Sequence, residues 1–242
     1  MDIAEPLLSF DLEQPAMTVH ALLEEKAFDV VGVRRQGIVC GYACKNELGH
    51  GLLGDYVHPF APEDFVMETD SLQKVIQTIG HKNRCFVKVL GTVGAIITLS
   101  DLEKPPVRMF LFGMITIFEM MMTWGIRRHF TGESWREHIP PGRLAKAEML
   151  RQERTRRNCT ADLLDCLQFS DRGQLLLKIP RALELLSKNG IPSKKAALKA
   201  IQELETLRNN IAHSQEIIPE SWQRIVVFST RLELLLSENL PA

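Results

Sequence analysis

"RCFVKVLGTVGAIITLSDL", Arg84 to Leu102, decides how the first half of the chain is read. "RCFVKV" and "TVGAIITL" are short apolar runs rich in strand formers. Leu90–Gly91 separates them, so they read as a β-hairpin. The strand runs out at Thr98, and an acidic helix start follows at Asp101. Upstream, "SLQKVIQTIGHKN" places Leu72, Val75, Ile76 and Ile79 at helical spacing, with Ser71 as its cap. The same order stands earlier in the chain. "TVHALLEEK" is helix-like, and "DVVGVR" and "IVCGYAC" are strand-like around Gln36–Gly37. Helix, strand, turn, strand and acidic helix start thus occur twice, as an internal repeat. "EDFV" opens the second copy, and the Gly- and Pro-rich residues Leu48 to Glu63 read as a connector.

After Pro106 the strand signal fades and the apolar spacing turns helical. Leu111, Ile115, Phe118 and Met122 form one stripe. "RLAKAEMLRQERTRR" is helical and basic. Pro180 should kink or divide "DRGQLLLKIPRALELLSKNG", which stops at Asn189–Gly190. Ser193 caps a further helix, and Pro219 opens a last one running to about Leu236. The expected fold class is therefore α+β over residues 1–105, followed by an all-α bundle over 106–242.

The 242 residues suffice for two modest domains, and 45% of them are hydrophobic, so each can bury a core. Up to Ile126 the chain carries 10 basic and 16 acidic residues, and after it 19 and 14. A basic C-terminal part suits phosphate contact, and solvated helix faces produce the same bias. Five cysteines without a CxxC pair argue against a disulfide framework or a zinc site. Cys40 and Cys85 fall in apolar strand runs, where free cysteine acts as a small core residue. The acidic N-terminus shows no signal peptide, and the expected compartment is the cytoplasm. Met109 to Ile126 is nearly long enough to span a bilayer. Its central Glu119 would cost roughly 2.5–3.5 kcal/mol there, so a buried helix without a membrane role is expected.

The repeat resembles a CBS-domain pair over about residues 15–127. Thr98-Leu99-Ser100-Asp101 after an apolar strand matches that family's strand-terminal motif. The resemblance implies an adenine-nucleotide ligand (AMP, ADP or ATP), with Thr98 on phosphate and Asp101 on the ribose diol. The first copy, "GYACKNEL", departs from the pattern. Cys44 stands for Thr98 and Glu47 for Asp101, so at most one good nucleotide cleft per chain is expected. The plainer alternative is that Thr98 and Asp101 only cap a helix.

"RNNIAH", Arg208 to His213, resembles the RxxxxH motif of HEPN-family helical ribonucleases, over about residues 107–240. That resemblance implies a metal-independent endoribonuclease with no catalytic cofactor. The RNA 2′-hydroxyl would attack its adjacent phosphate, with His213 as general base or acid. Arg208 would stabilise the transition state, and Asn209 would orient His213 or the phosphate. Arg208 and His213 are five residues apart, about 140° around a helix axis. One straight helix cannot easily converge them, and a homodimer could. The same residues also fit an exposed helix face in a non-catalytic regulatory or scaffold protein.

Glu119, the sole charge in its apolar run, needs a partner if buried, and Arg208 is the candidate that would tie it to catalysis. At a solvated seam it would need none. Arg151 to Arg157 either guide RNA or form a solvated face. Trp124, Trp135 and Trp222 read as core or interface. No metal-ligand cluster stands out.

Overall fold

The computed structural model describes residues 3–217, together with 226 and 227. The helix expected from Pro219 and the placement of Trp222 lie outside the described residues. The chain divides into two compact units, Met1–Val107 and Arg108–Ala242.

The first unit contains strands β1 (Glu5–Pro6), β2 (Ser9–Asp11), β3 (Val30–Arg35), β4 (Ile38–Cys44), β5 (His58–Pro59), β6 (Phe65–Met67), β7 (Arg84–Val89) and β8 (Thr92–Thr98). Helix α1 (Ala16–Glu25) lies between β2 and β3, and α2 (Leu72–Lys82) between β6 and β7. Two four-stranded sheets result, ordered β2-β3-β4-β5 and β1-β8-β7-β6. In each, a short leading strand pairs parallel to the hairpin (β2 with β3, β6 with β7). Those leading strands are only three residues long, too short for an alternation to announce them.

The two hairpins match in detail. Both turns place two successive residues at positive φ, Gln36 and Gly37 in one and Leu90 and Gly91 in the other. This is the type I′ turn that suits the twist of a tight hairpin. Each ladder shifts register at the same place, between Val33 and Arg34 and between Val87 and Lys88. Ser71 caps α2 by accepting from the Lys74 amide at 3.3 Å.

The fourth strand of each sheet is exchanged. β1, which precedes the first repeat, pairs with β8 of the second, with Glu5 opposite Ile96 and Pro6 opposite Ala95. β5, which precedes the second repeat, pairs with β4 of the first, with His58 opposite Tyr42 and Pro59 opposite Gly41. Tyr42 and Ile96 hold the same hairpin position, so His58 is the counterpart of Glu5. Gly41 makes the second exchange possible, because a Cβ there would stand 2.5 Å from the His58 carbonyl oxygen.

The register shift also corrects one expectation. Cys85 is buried in the core, but Cys40 is exposed. Val39 pairs with Arg34 and Gly41 with Val33, so Cys40 is the extra residue of a β-bulge, while Val39, Tyr42 and Cys44 pack on one side of the strand.

The second unit is helical: α3 (Pro105–His129, beginning at the boundary), α4 (Pro141–Arg156), α5 (Phe169–Leu176), α6 (Pro180–Lys188) and α7 (Lys194–Ala212). Pro180 separates α5 from α6, and Asn189 ends α6. Ser193 caps α7 by accepting from the Ala196 amide at 3.1 Å. Trp135, Ile126, Leu163, Leu175 and Ile179 share one core. α5 meets α7 closely at Gly173, where a Cβ would fall 2.5 Å from Ile201 Cγ2. Among the described residues, α3 is the one helix long and apolar enough to cross a membrane. Leu111, Ile115, Phe118 and Met122 on it are buried, while Met109, Phe112, Ile117, Met120 and Trp124 are exposed.

Candidate functional sites

Thr98 ends β8, and a 3-10 turn, Leu99–Glu103, follows it. The α-helix begins only at Pro105. The expected helix start at Asp101 is therefore corrected to a 3-10 turn. A short turn closes on itself there, because Asp101 reaches back to cap it. Its carboxylate accepts from the Thr98 amide at 2.7 Å and from the Thr98 hydroxyl at 2.8 Å. The other carboxylate oxygen lies 2.9 Å from Lys104 Nζ. Lys104 also donates to the Ile3 carbonyl at 2.9 Å and to Glu5. Asp101 is buried. Burial works to lower the Lys104 pKa, but its hydrogen bonds to the Glu5 and Asp101 carboxylates outweigh it and raise the pKa above its ordinary value. The second repeat thus holds a cation of its own, an ammonium between two carboxylates.

The corresponding place in the first repeat has different chemistry. Cys44 and Glu47 stand for Thr98 and Asp101, and His58 for Glu5. The position matching Lys104 is His50, whose carbonyl accepts from the Tyr56 hydroxyl at 2.7 Å. Lys45 is drawn off by Glu24 at 3.1 Å and Asp29 at 3.7 Å. Cys44, Glu47 and His58 each offer one ligand atom, and the three atoms lie within 4.8 Å of one another. Glu47 pairs with His58 Nε2. Arg84 donates to Cys44 Sγ at 3.5 Å and lies over the Tyr42 ring. Burial raises the Cys44 thiol pKa, with the Arg84 charge opposing it. Sequence reasoning missed this group because His58 comes from the connector. The signal was available in the repeat itself, since Cys44 and Glu47 already align with Thr98 and Asp101.

In the helical unit, Glu119 accepts from Arg172, whose second terminal nitrogen donates to Thr123 Oγ1 at 3.1 Å. Arg208 is 3.6 Å from the same Glu119 oxygen and lies over the Phe169 ring, 5.5 Å from its centroid. Burial lowers the Arg172 pKa, and the neighbouring Arg208 charge lowers it further. Glu119 therefore serves two guanidinium groups, one of them absent from the sequence reading. Arg208 also donates to Asn209 Oδ1 at 3.2 Å.

His213 is not inside the helix. It is the C-cap of α7, exposed, with its backbone N–H bonded to the Asn209 carbonyl at 2.9 Å. Ser214 follows at positive φ and turns the chain away. The helix thus ends one residue before His213. Among the described residues, no hydrogen bond joins the His213 imidazole to Arg208 or Asn209. Arg108 seals this helix end by donating to the carbonyls of Asn210 at 3.1 Å and Gln215 at 2.9 Å. Arg151 and Arg156 line an open cleft of about 1040 Å³, while Arg157 pairs with Glu153. Trp135 is buried and Trp124 partly exposed.

No family model matches the sequence, and no curated protein matches it. Several similar solved structures are named as CBS domains, and they align with 42–44% of this chain. The CBS domain of a bacterial CNNM/CorC family Mg2+ transporter is 19% identical, covering 44% of this chain and 73% of that one, with a TM-score of 0.36. The same domain in complex with ATP is 18% identical over 42% of this chain and 81% of that one, at 0.36. Staphylococcus aureus OpuCA is 16% identical over 42% and 93%, at 0.37.

Proposed function

We propose that the chain is a two-module regulator: a CBS-like unit that takes an adenine nucleotide, and a HEPN-like helical unit that cleaves RNA without metal as a homodimer. One observation carries the catalytic part. Arg208 is anchored by Glu119 and Phe169, while His213 is solvent-exposed at the end of the same helix. An anchored guanidinium suits charge stabilisation at a phosphorane-like transition state. A solvent-exposed imidazole suits proton transfer as general acid or base. The exposed apolar stripe on α3, from Met109 to Trp124, supports a second copy as partner. In the first unit, a nucleotide at Thr98 and Asp101 would have to compete with Lys104 for the carboxylate. The test is incubation of the full chain with mixed RNA in chelator, with and without AMP, ADP or ATP. Cleavage lost in His213→Ala supports the reading, and equal cleavage by that variant removes it.

A specific observation favours a second reading, a non-catalytic regulatory scaffold. Both Asp101 oxygens are engaged within the chain, which suits a structural cap. Under that reading, calorimetry detects no adenine nucleotide binding and RNA stays intact.

A further inference from the structure

We propose that Cys44, Glu47 and His58 form a binding site for a zinc-class divalent cation in the first repeat. Tyr42 and Cys44 are two apart on β4 and so face the same side of the sheet. His58 on β5 is directly opposite Tyr42, and their rings lie 5.3 Å apart, which fixes the imidazole beside the strand. Cys44 is then the diagonal neighbour of His58, within side-chain reach. The 3-10 turn Lys45–Glu47 folds back from the end of β4 and brings Glu47 to the same place.

The internal repeat supplies an independent argument. At the equivalent place in the second repeat, Asp101, Glu5 and the Ile3 carbonyl enclose a positive charge, the Lys104 ammonium. The first repeat keeps two of these positions as Glu47 and His58, places Cys44 beside them, and has His50 where the lysine stands. One oxygen, one imidazole nitrogen and one sulfur are a donor set for zinc rather than for calcium or magnesium, which take oxygen. The ligand atoms already lie within 4.8 Å of one another. Bonds of about 2.0–2.3 Å require them to rearrange around the ion, and Glu47 is an exposed side chain whose pairing with His58 the ion would replace. Three protein donors leave a fourth position for water or an external ligand.

Binding is balanced in protons and charge. The Cys44 S–H bond breaks, its proton passes to buffer, and the thiolate pair forms the metal–sulfur bond. His58 gives up the Nε2 proton that it shares with Glu47, which passes to buffer as the ring keeps or takes up a proton at Nδ1, so that it binds through Nε2 as neutral imidazole; Glu47 binds as carboxylate. Arg84 remains beside the sulfur, where an N–H···S hydrogen bond supports a thiolate ligand. The site is separate from RNA cleavage, which needs no metal, so either can fail without the other.

The experiment uses the reduced, metal-stripped full chain titrated with Co2+, followed by Zn2+ competition. The expected result is one equivalent of Co2+ with a thiolate-to-metal charge-transfer absorption, displaced by Zn2+. Cys44→Ser should abolish that absorption, while Cys40→Ser and Cys159→Ser keep it. His58→Gln and Glu47→Gln should each weaken binding by at least about tenfold. These conservative changes keep the test open should Cys44→Ser fail to fold, as judged by circular dichroism. A wild-type chain that gives no charge-transfer absorption overturns the proposal. So does binding that survives unchanged in folded His58→Gln and Glu47→Gln.

Discussion

Arg208 lies 3.6 Å from Glu119, the carboxylate in the middle of the apolar helix α3. Arg172 bonds the same oxygen and is the more buried of the two cations. Glu119→Gln would therefore leave a largely buried guanidinium without its counter-charge. We expect a loss of about 2 kcal/mol in urea unfolding, below the value for a fully buried pair because both side chains keep some exposure. RNA cleavage should fall with it, since Arg208 loses its anchor. An unchanged unfolding midpoint would show that Thr123 alone holds Arg172.

The composite-site reading predicts complementation. Arg208→Ala and His213→Ala homodimers should both be inactive toward RNA. A mixed dimer keeps one site with both partners intact and should regain part of the activity, because the two residues act as a unit. Cleavage by a chain shown by sedimentation to be monomeric would refute the shared site.

Gly173→Ala places a methyl group against Ile201, whose Cγ2 would be 2.5 Å away. Ile201 is β-branched and stiff, so α5 and α7 must separate. The expected cost is about 1–3 kcal/mol. Adding Ile201→Ala should recover part of it, and a double-mutant cycle measures the coupling. Strictly additive losses would place the strain elsewhere.

Lys104 predicts an alkaline signature. Its folded pKa is raised, so its contribution is fully present below the unfolded value of about 10.4. That contribution is lost as pH rises through the higher folded value. Lys104→Met should be less stable than wild type near pH 8, and the gap should narrow above about pH 10.4 in chemical denaturation series. A gap that stays constant with pH would mean that the lysine stem, not its charge, matters.

Leu90 holds φ 50° at a hairpin tip and is 92% exposed. Asn tolerates the left-handed region better than Leu, and the side chain buries nothing there. Leu90→Asn should raise stability by about 0.5–1 kcal/mol, read as a higher thermal midpoint. A lower midpoint would imply that this leucine is covered in solution.

Long periodic segments were legible in the sequence, and contacts between distant segments were not. The hairpins at Gln36–Gly37 and Leu90–Gly91, the caps at Ser71 and Ser193, and the break at Pro180 follow from local chemistry. The three-residue strands β2 and β6 are too short to show a period. His58 could be recognised as a partner of Cys44 only once β5 was known to lie on β4. Arg172 was not singled out as a partner of Glu119 because no motif marks it, whereas Arg208 stands in one. The turn at Asp101 was misread as a helix start because a capping carboxylate is common to both.

The exchanged strands also bear on the order of folding. The hairpins close over two-residue turns, but β1 must find β8 across almost the whole first unit, pairing Glu5 with Ile96. Closing so long a loop costs more entropy and comes after local pairing. Glu5 arrives on that late strand, and Ile3, just before it, arrives with it; both hold the Lys104 ammonium. Cys44, Glu47 and His58 assemble within a short span of chain. The two equivalent cation places therefore mature at different times: the first as soon as one repeat has formed, the second only when the N-terminus has been sewn into the sheet.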